Sequence, residues 1–249
     1  MIELKTENEI KRIKESCRIT AYVLNRLKEM VKPGMPSIEL DSEARRLVAE
    51  RKAKPAFLGY RGYPAAVCVS INSEVVHGIP SKERVFKEGD IVSIDFGVEY
   101  GGFYGDSAVT VAAGRISPEA VKLMDVTREC LERGIEKAVH GNRLYDISAA
   151  IQQNAEENGF SVVRDFVGHG IGRQMHEEPM IPNYGNPGTG AELKNGMVFA
   201  IEPMVNAKGF EVVVLEDDWT VVTQDRSLSA HYEHVVAVTK NGPIILTKE

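Results

Sequence analysis

Apolar residues recur at helical spacing after Thr6, where Ile10, Ile13, Cys17, Ala21, Leu24 and Leu27 fall on one stripe. Thr6 and Glu9 have the spacing of a capping box at its start, and Pro33-Gly34 ends it. A second helix is predicted over 37 to about 52, with Leu40, Ala44, Leu47 and Val48 facing inward. Ser117-Pro118, an N-cap followed by proline at the first helical position, opens a third that runs towards His140-Gly141. A fourth spans roughly 145–158 and is stopped by Gly159. Between and after these lie valine- and isoleucine-rich runs that read as strands, at 66–71, 91–96, 108–112, 197–201, 211–215 and 234–238.

Laid over itself with a shift of 107 residues, the chain matches Phe86-Lys-Glu-Gly89-Asp-Ile-Val-Ser-Ile94-Asp95 to Leu193-Lys-Asn-Gly196-Met-Val-Phe-Ala-Ile201-Glu202. The same shift puts Gly34 on Gly141, Leu40 on Ile147 and Ala44 on Ile151. The pattern predicts one domain over 1–249 made of a duplicated α+β unit, about 10–112 and 117–239, the period being too long for a solenoid. Two halves related by a pseudo-two-fold axis, with helices on one face of the sheets, are the expected arrangement.

Composition narrows the classes of function. With 43% hydrophobic and 27% charged residues the chain is an ordinary globular protein, and its net charge of −6 offers no broad basic surface to nucleic acid or an anionic membrane. Cys17, Cys68 and Cys130 show no C-x-x-C spacing, so neither a disulfide framework nor a cysteine zinc site is indicated. No basic n-region with an apolar stretch opens the chain, and no apolar run approaches the ~18 residues of a membrane span. A cytoplasmic protein is expected.

The duplicated segment carries an acid at the end of each copy, Asp95 and Glu202, and symmetric pairing would bring the two near the axis. Asp95 and Asp106 also flank a predicted hairpin turned by Gly101-Gly102. Carboxylates on neighbouring strands repel unless a cation lies between them. Taken singly, His169 in Gly168-His-Gly-Ile-Gly172 reads as readily as a loop or core histidine, and Glu233 as an ordinary strand acid.

Several longer motifs, in order along the chain, resemble those of the type I methionine aminopeptidases, within the pita-bread group that includes aminopeptidase P and prolidase. They are Asn72-Ser-Glu-Val-Val-His77-Gly-Ile-Pro80, Ser93-Ile-Asp95-Phe-Gly, Tyr104-Gly-Asp106, Gly168-His169-Gly170-Ile-Gly, His176-Glu-Glu-Pro179, Ile201-Glu202-Pro203-Met204 and Ser229-Ala-His231-Tyr-Glu233-His. The resemblance implies a pita-bread α+β fold, with antiparallel sheet covered by helices on one face. It implies that Asp95, Asp106, His169, Glu202 and Glu233 hold two divalent ions, Asp106 and Glu233 bridging. Four carboxylates and one imidazole suit manganese, iron(II) or cobalt, with zinc and nickel also admitted.

The implied reaction is removal of an N-terminal methionine before a small second residue, by a metal-activated hydroxide attacking the first peptide bond. Glu202 would move the proton, His176 would stabilise the oxyanion and His77 would contact the scissile amide or the next residue, although a buttressing role fits either histidine. The family's methionine slot matches Tyr60, Tyr63, Cys68 and Trp219, and this chain departs from the common pattern at Phe57, where cysteine is frequent, and Met175, where phenylalanine is frequent. Implied partners are nascent polypeptide N-termini near the ribosome exit, with a monomeric enzyme and no nucleic acid or membrane. The 26 residues from His176 to Glu202 leave no room for a type II insertion, and the lack of an N-terminal extension fits a minimal form.

Rival readings are weaker. Gly105-Asp106-Ser107 lacks the G-x-S-x-G elbow, the glycines around His169 are not G-x-G-x-x-G, and His176-Glu-Glu is not H-E-x-x-H. An X-Pro aminopeptidase or prolidase remains the alternative within the fold, and a non-catalytic peptide-binding protein the alternative outside enzymology.

Overall fold

The computed structural model describes residues 2–248. Four helices carry the first level of order: α1 (Glu7–Met30), α2 (Ile38–Glu50), α3 (Pro118–Lys137) and α4 (Leu144–Glu157). Each lies close to its predicted span, because each start or stop has a local cause. Thr6 accepts from the Glu9 N–H and Glu9 reaches back to the Thr6 N–H, completing the capping box, and Ser117 caps α3 through the N–H of Ala120.

The strand Asp90–Tyr100 pairs antiparallel with Phe103–Ala113 over its whole length, turned by Gly101 and Gly102 at φ 60 and 79. Both residues of that two-residue loop need the left-handed backbone that glycine adopts freely. The hairpin is longer than the predicted runs at 91–96 and 108–112, since Phe103-Tyr-Gly-Asp106 does not read as a strand until it is paired. Cys68–Ile71 and Lys54–Pro55 add to the same sheet. A second sheet runs in the order Gly242–Ile245, His234–Thr239, Val198–Ile201, Gly168–Gly170, Glu177–Ile181.

The two halves repeat the same hydrogen bonds 107 residues apart. Gly34 N–H donates to the Phe86 carbonyl (2.8 Å) and Gly141 N–H to the Leu193 carbonyl (2.9 Å). In return Phe86 N–H donates to Met35 (3.0 Å) and Leu193 N–H to Asn142 (2.8 Å). Pro36 bridges Val85 as Arg143 bridges Glu192, and Gly89 and Gly196 both sit at φ 97.

Helices α1 and α2 cover the first sheet through Leu24, Leu27, Leu40, Ala44, Phe86, Ile94 and Phe96; α3 and α4 cover the second through Leu123, Leu131, Ile147, Ile151, Phe199 and Ile201. Burying Phe96, which is 0% exposed, contributes roughly 2–3 kcal/mol. Strand alternation then decides the site: Ile94 and Phe96 face the helices, so Asp95 between them faces the other way.

Candidate metal centre

Asp95 lies in the middle of the Asp90–Tyr100 strand, not at its end as the repeat alone led one to expect, whereas Glu202 directly follows the strand Val198–Ile201. Across the hairpin Asp95 pairs with Ala108 and Asp106 with Gly97, so the two acids are diagonal neighbours on one face of the sheet, not directly opposed. Glu233 falls between the strands Ser229–His231 and His234–Thr239, where the chain lies against the Phe103–Ala113 strand of the other half. Its N–H donates to the Ala108 carbonyl (3.0 Å), and the Ser107 hydroxyl donates to its carbonyl (2.7 Å), which brings Glu233 next to Asp106. His169 is centred in Gly168–Gly170, paired with Ala200 two residues before Glu202.

Ligand atoms of Asp106, His169 and Glu233 lie within 4.8 Å of one another. His169 Nε2 is 3.6 Å from Glu202 Oε1 and 4.0 Å from Asp106 Oδ2. Asp95 Oδ1, Asp106 Oδ1 and Glu233 Oε1 are buried without a hydrogen-bond partner, an arrangement that is costly unless something else satisfies them. Burial pushes all four carboxyls up. Asp106 reaches about 7, while Asp95, Glu202 and Glu233 are raised well above the carboxylate range by burial and then by neighbouring acids, Asp106 foremost. Burial, then His176, pushes His169 down to about 3, leaving a neutral imidazole. Unpartnered buried carboxyl oxygens and a neutral imidazole converging on one point fit a divalent cation, which would hold the carboxyls ionised.

Above this floor a cleft of about 140 Å³ is lined by every residue singled out in the sequence: Phe57, Tyr60, Tyr63, Cys68, His77, Asp95, Asp106, His169, Met175, His176, Glu202, Trp219 and Glu233, with Arg61 beside them. Tyr63 meets Trp219 edge-on at 5.1 Å, and Phe57, Cys68 and Met175 complete an apolar wall. Burial, then Asp95, holds the Cys68 thiol well above its usual range, which disfavours the thiolate that a nucleophile needs. The two unusual positions meet: a Cβ on Gly97 would lie 2.9 Å from Phe57 Cε1 and 3.0 Å from Met175 Cε. Gly97 thus leaves room for the Phe57 ring and the Met175 thioether, both of which line the cleft.

His176 stands at the rim, its Nδ1 2.8 Å from the Tyr60 hydroxyl and its ring stacked on Tyr60 at 5.3 Å. The loop that carries it is pinned by Glu177, whose Oε1 accepts from the Arg173 N–H (2.7 Å) and the Gln174 N–H (3.1 Å) while Oε2 binds Lys5 at 2.6 Å. His77 has a left-handed backbone (φ 60) and packs edge-on against Phe166 and Trp219. Burial, then His176, pushes it down to about 4.

One neighbour of the cluster stands in the Ser229–His234 motif without an expected role. His231, 1% exposed, points Nε2 at Glu202 Oε2 (3.5 Å), and that nitrogen has no hydrogen-bond partner. Its place two residues before Glu233 on an alternating segment was the available signal.

Residues 11–240 match the model of metallopeptidase family M24. The methionine aminopeptidase of Clostridium acetobutylicum is 53% identical over 99% of both chains. A crystal structure of methionine aminopeptidase from Thermotoga maritima superposes with a TM-score of 0.98 at 49% identity, covering 100% of each chain. A prolidase from Pyrococcus furiosus is similar at a TM-score of 0.78 and 25% identity, covering 99% of this chain and 65% of that one. Family model, full-length identity and superposition agree: this chain belongs to the methionine aminopeptidases of metallopeptidase family M24.

Proposed function

We propose that the protein removes the initiator methionine from peptides with a small second residue, using two divalent ions held by Asp95, Asp106, His169, Glu202 and Glu233. The observation that carries the reading is the convergence of Asp106, His169 and Glu233 within 4.8 Å beneath an apolar cleft. Bound divalent ions would supply an activated water and a polarised carbonyl. Manganese, iron(II) and cobalt suit the oxygen-rich donor set best.

The chain's own groups divide the remaining work. Phe57, Tyr60, Tyr63, Cys68, Met175 and Trp219 receive the methionine side chain, for which aromatic faces and sulfur make favourable contacts. Glu202, beside His169 and His231, takes the proton of the attacking water and passes it to the leaving amine. With the Tyr60 hydroxyl donating to Nδ1, neutral His176 carries its proton on Nε2 and donates to the carbonyl oxygen as it gains charge. His77, neutral at pH 7, contacts the leaving amide or the next backbone group.

The 107-residue recurrence of hydrogen bonds supports a single catalytic domain built from two copies, 10–112 and 117–239. Among the described residues no helix is long and apolar enough to cross a membrane. Action on nascent chains near the ribosome exit, by a cytoplasmic monomer, completes the proposal. Hydrolysis of Met-Ala-Ser and Ala-Pro peptides by metal-loaded protein tests it. Release of methionine from the first supports the reading; cleavage confined to Ala-Pro moves the chain to the X-Pro enzymes, and metal binding without cleavage of either to the binding proteins.

A further inference from the structure

The cleft continues outward into a wider groove of about 620 Å³, and His169, His176 and Arg61 line both spaces. Gln174, Glu178 and Met180, the last 67% exposed, line the groove only. A peptide whose N-terminal residue is held in the cleft has to leave past the three shared residues. His169 and His176 already have roles at the reacting bond. Arg61 has none.

Two observations single it out. Its backbone is left-handed (φ 50, ψ 22) in a short turn flanked by Gly59 and Gly62, at φ 80 and 93. A long non-glycine side chain in that region is uncommon, and such outliers cluster where a side chain must be aimed. Second, neighbouring cations are already matched: Arg173 with Glu9 at 3.1 Å, and Lys5 with Glu3 and Glu177 at 2.6 Å. Arg61 has no carboxylate partner among the described residues, and its one contact is over the ring of adjacent Tyr60, 5.5 Å from the centroid. Glu178, an acid with no ion pair among the described residues, borders the groove but not the cleft, so it lies further along the exit path.

We propose that Arg61 is a substrate-binding residue for a carboxylate placed just beyond the scissile bond. That group is either the C-terminal carboxylate of a dipeptide or an aspartate or glutamate side chain at the third position of a longer chain. The inference rests on the methionine-removal reading and adds to it a preference among substrates.

The experiment compares kcat/KM for Met-Ala against Met-Ala-amide, and for Met-Ala-Asp-Ser-amide against Met-Ala-Asn-Ser-amide. The metal-loaded wild type is expected to favour the carboxylate of at least one pair by about two- to fivefold, the range of an exposed ion pair. Raising the salt concentration should shrink that ratio. Arg61→Gln should bring it to unity and Arg61→Glu should invert it. A preference confined to the first pair assigns the C-terminal carboxylate, and one confined to the second the side chain. Equal rates within both pairs, or a ratio that survives Arg61→Gln, overturn the inference while leaving methionine removal intact. Failure to hydrolyse all four peptides overturns the parent reading, and this one with it.

Discussion

His231 Nε2 stands 3.5 Å from Glu202 Oε2, while His169 Nε2 stands 3.6 Å from the other oxygen, Oε1. The glutamate therefore has a neighbouring imidazole at each carboxyl oxygen. Burial, then His77, keeps His231 uncharged by pushing it down to about 3. A neutral ring still has one N–H to give, and the separation is slightly beyond the roughly 2.7–3.2 Å of an ordinary hydrogen bond.

His231→Leu should leave Glu202 free to rotate and lower kcat or metal affinity by about 10–100-fold, the effect of losing the partner of a metal-binding side chain. His231→Gln, whose amide can donate from nearly the same place, should recover most of the loss. Steady-state kinetics with metal content measured on the same samples decide it, and a leucine variant with unchanged values of both would rule out the positioning role.

Phe57 and Met175 both line the cleft and both crowd the space over Gly97, so their effects should be coupled. Phe57→Cys alone opens a gap and Met175→Phe alone overfills the wall, so each is expected to raise KM for Met-Ala-Ser. Together the two changes exchange a large and a small neighbour, and the double variant should lie nearer the wild type than the sum of the singles, by an interaction energy of about 1 kcal/mol. Strict additivity in a double-mutant cycle would show that the two residues do not share the wall.

How much of this was readable from the chain differs between elements. Helix limits were legible because Thr6, Glu9, Ser117 and Gly159 act locally, on their own turn of backbone. Strand limits were not, since Phe103–Ala113 owes its first residues to pairing with Glu99 and Tyr100. The hairpin acids Asp95 and Asp106 could be found from turn and alternation alone. His169 and Glu233 could not, because they come near the hairpin acids only when the halves pack together, Glu233 through Ser107 and Ala108 and His169 through its own sheet, and it took the family resemblance to name them. Arg61 gave no signal at all: an exposed charge in a glycine turn looks like any solvated loop residue until the two cavities it borders are seen.

The carboxyl cluster links metal, protons and stability. Asp106 ionises near 3.8 in an unstructured chain and at about 7 here, pushed up by burial against the pull of the Ser107 N–H and Asp95. A raised carboxyl contributes stability that is complete below pH 3.8 and is lost as pH rises through about 7. Asp95, Glu202 and Glu233 act in the same direction. His77, His231 and His234, pushed down to between about 3 and about 4, act in the opposite sense, but in both the metal-free and metal-loaded forms. The difference in Tm between the two forms should therefore widen from about pH 5 to about pH 8, and metal uptake at pH 6 should release protons. A constant Tm difference, with no proton release by calorimetry in two buffers, would show that these carboxyls are not the ligands.

The most direct test of the five-residue metal centre is methionine release from Met-Ala-Ser by chelator-stripped protein titrated with Mn(II) or Co(II). The account predicts no activity before addition and recovery on loading, with Asp95→Asn and Glu202→Gln each losing metal and activity together. Turnover by stripped protein, or either variant keeping both metal and rate, would contradict it.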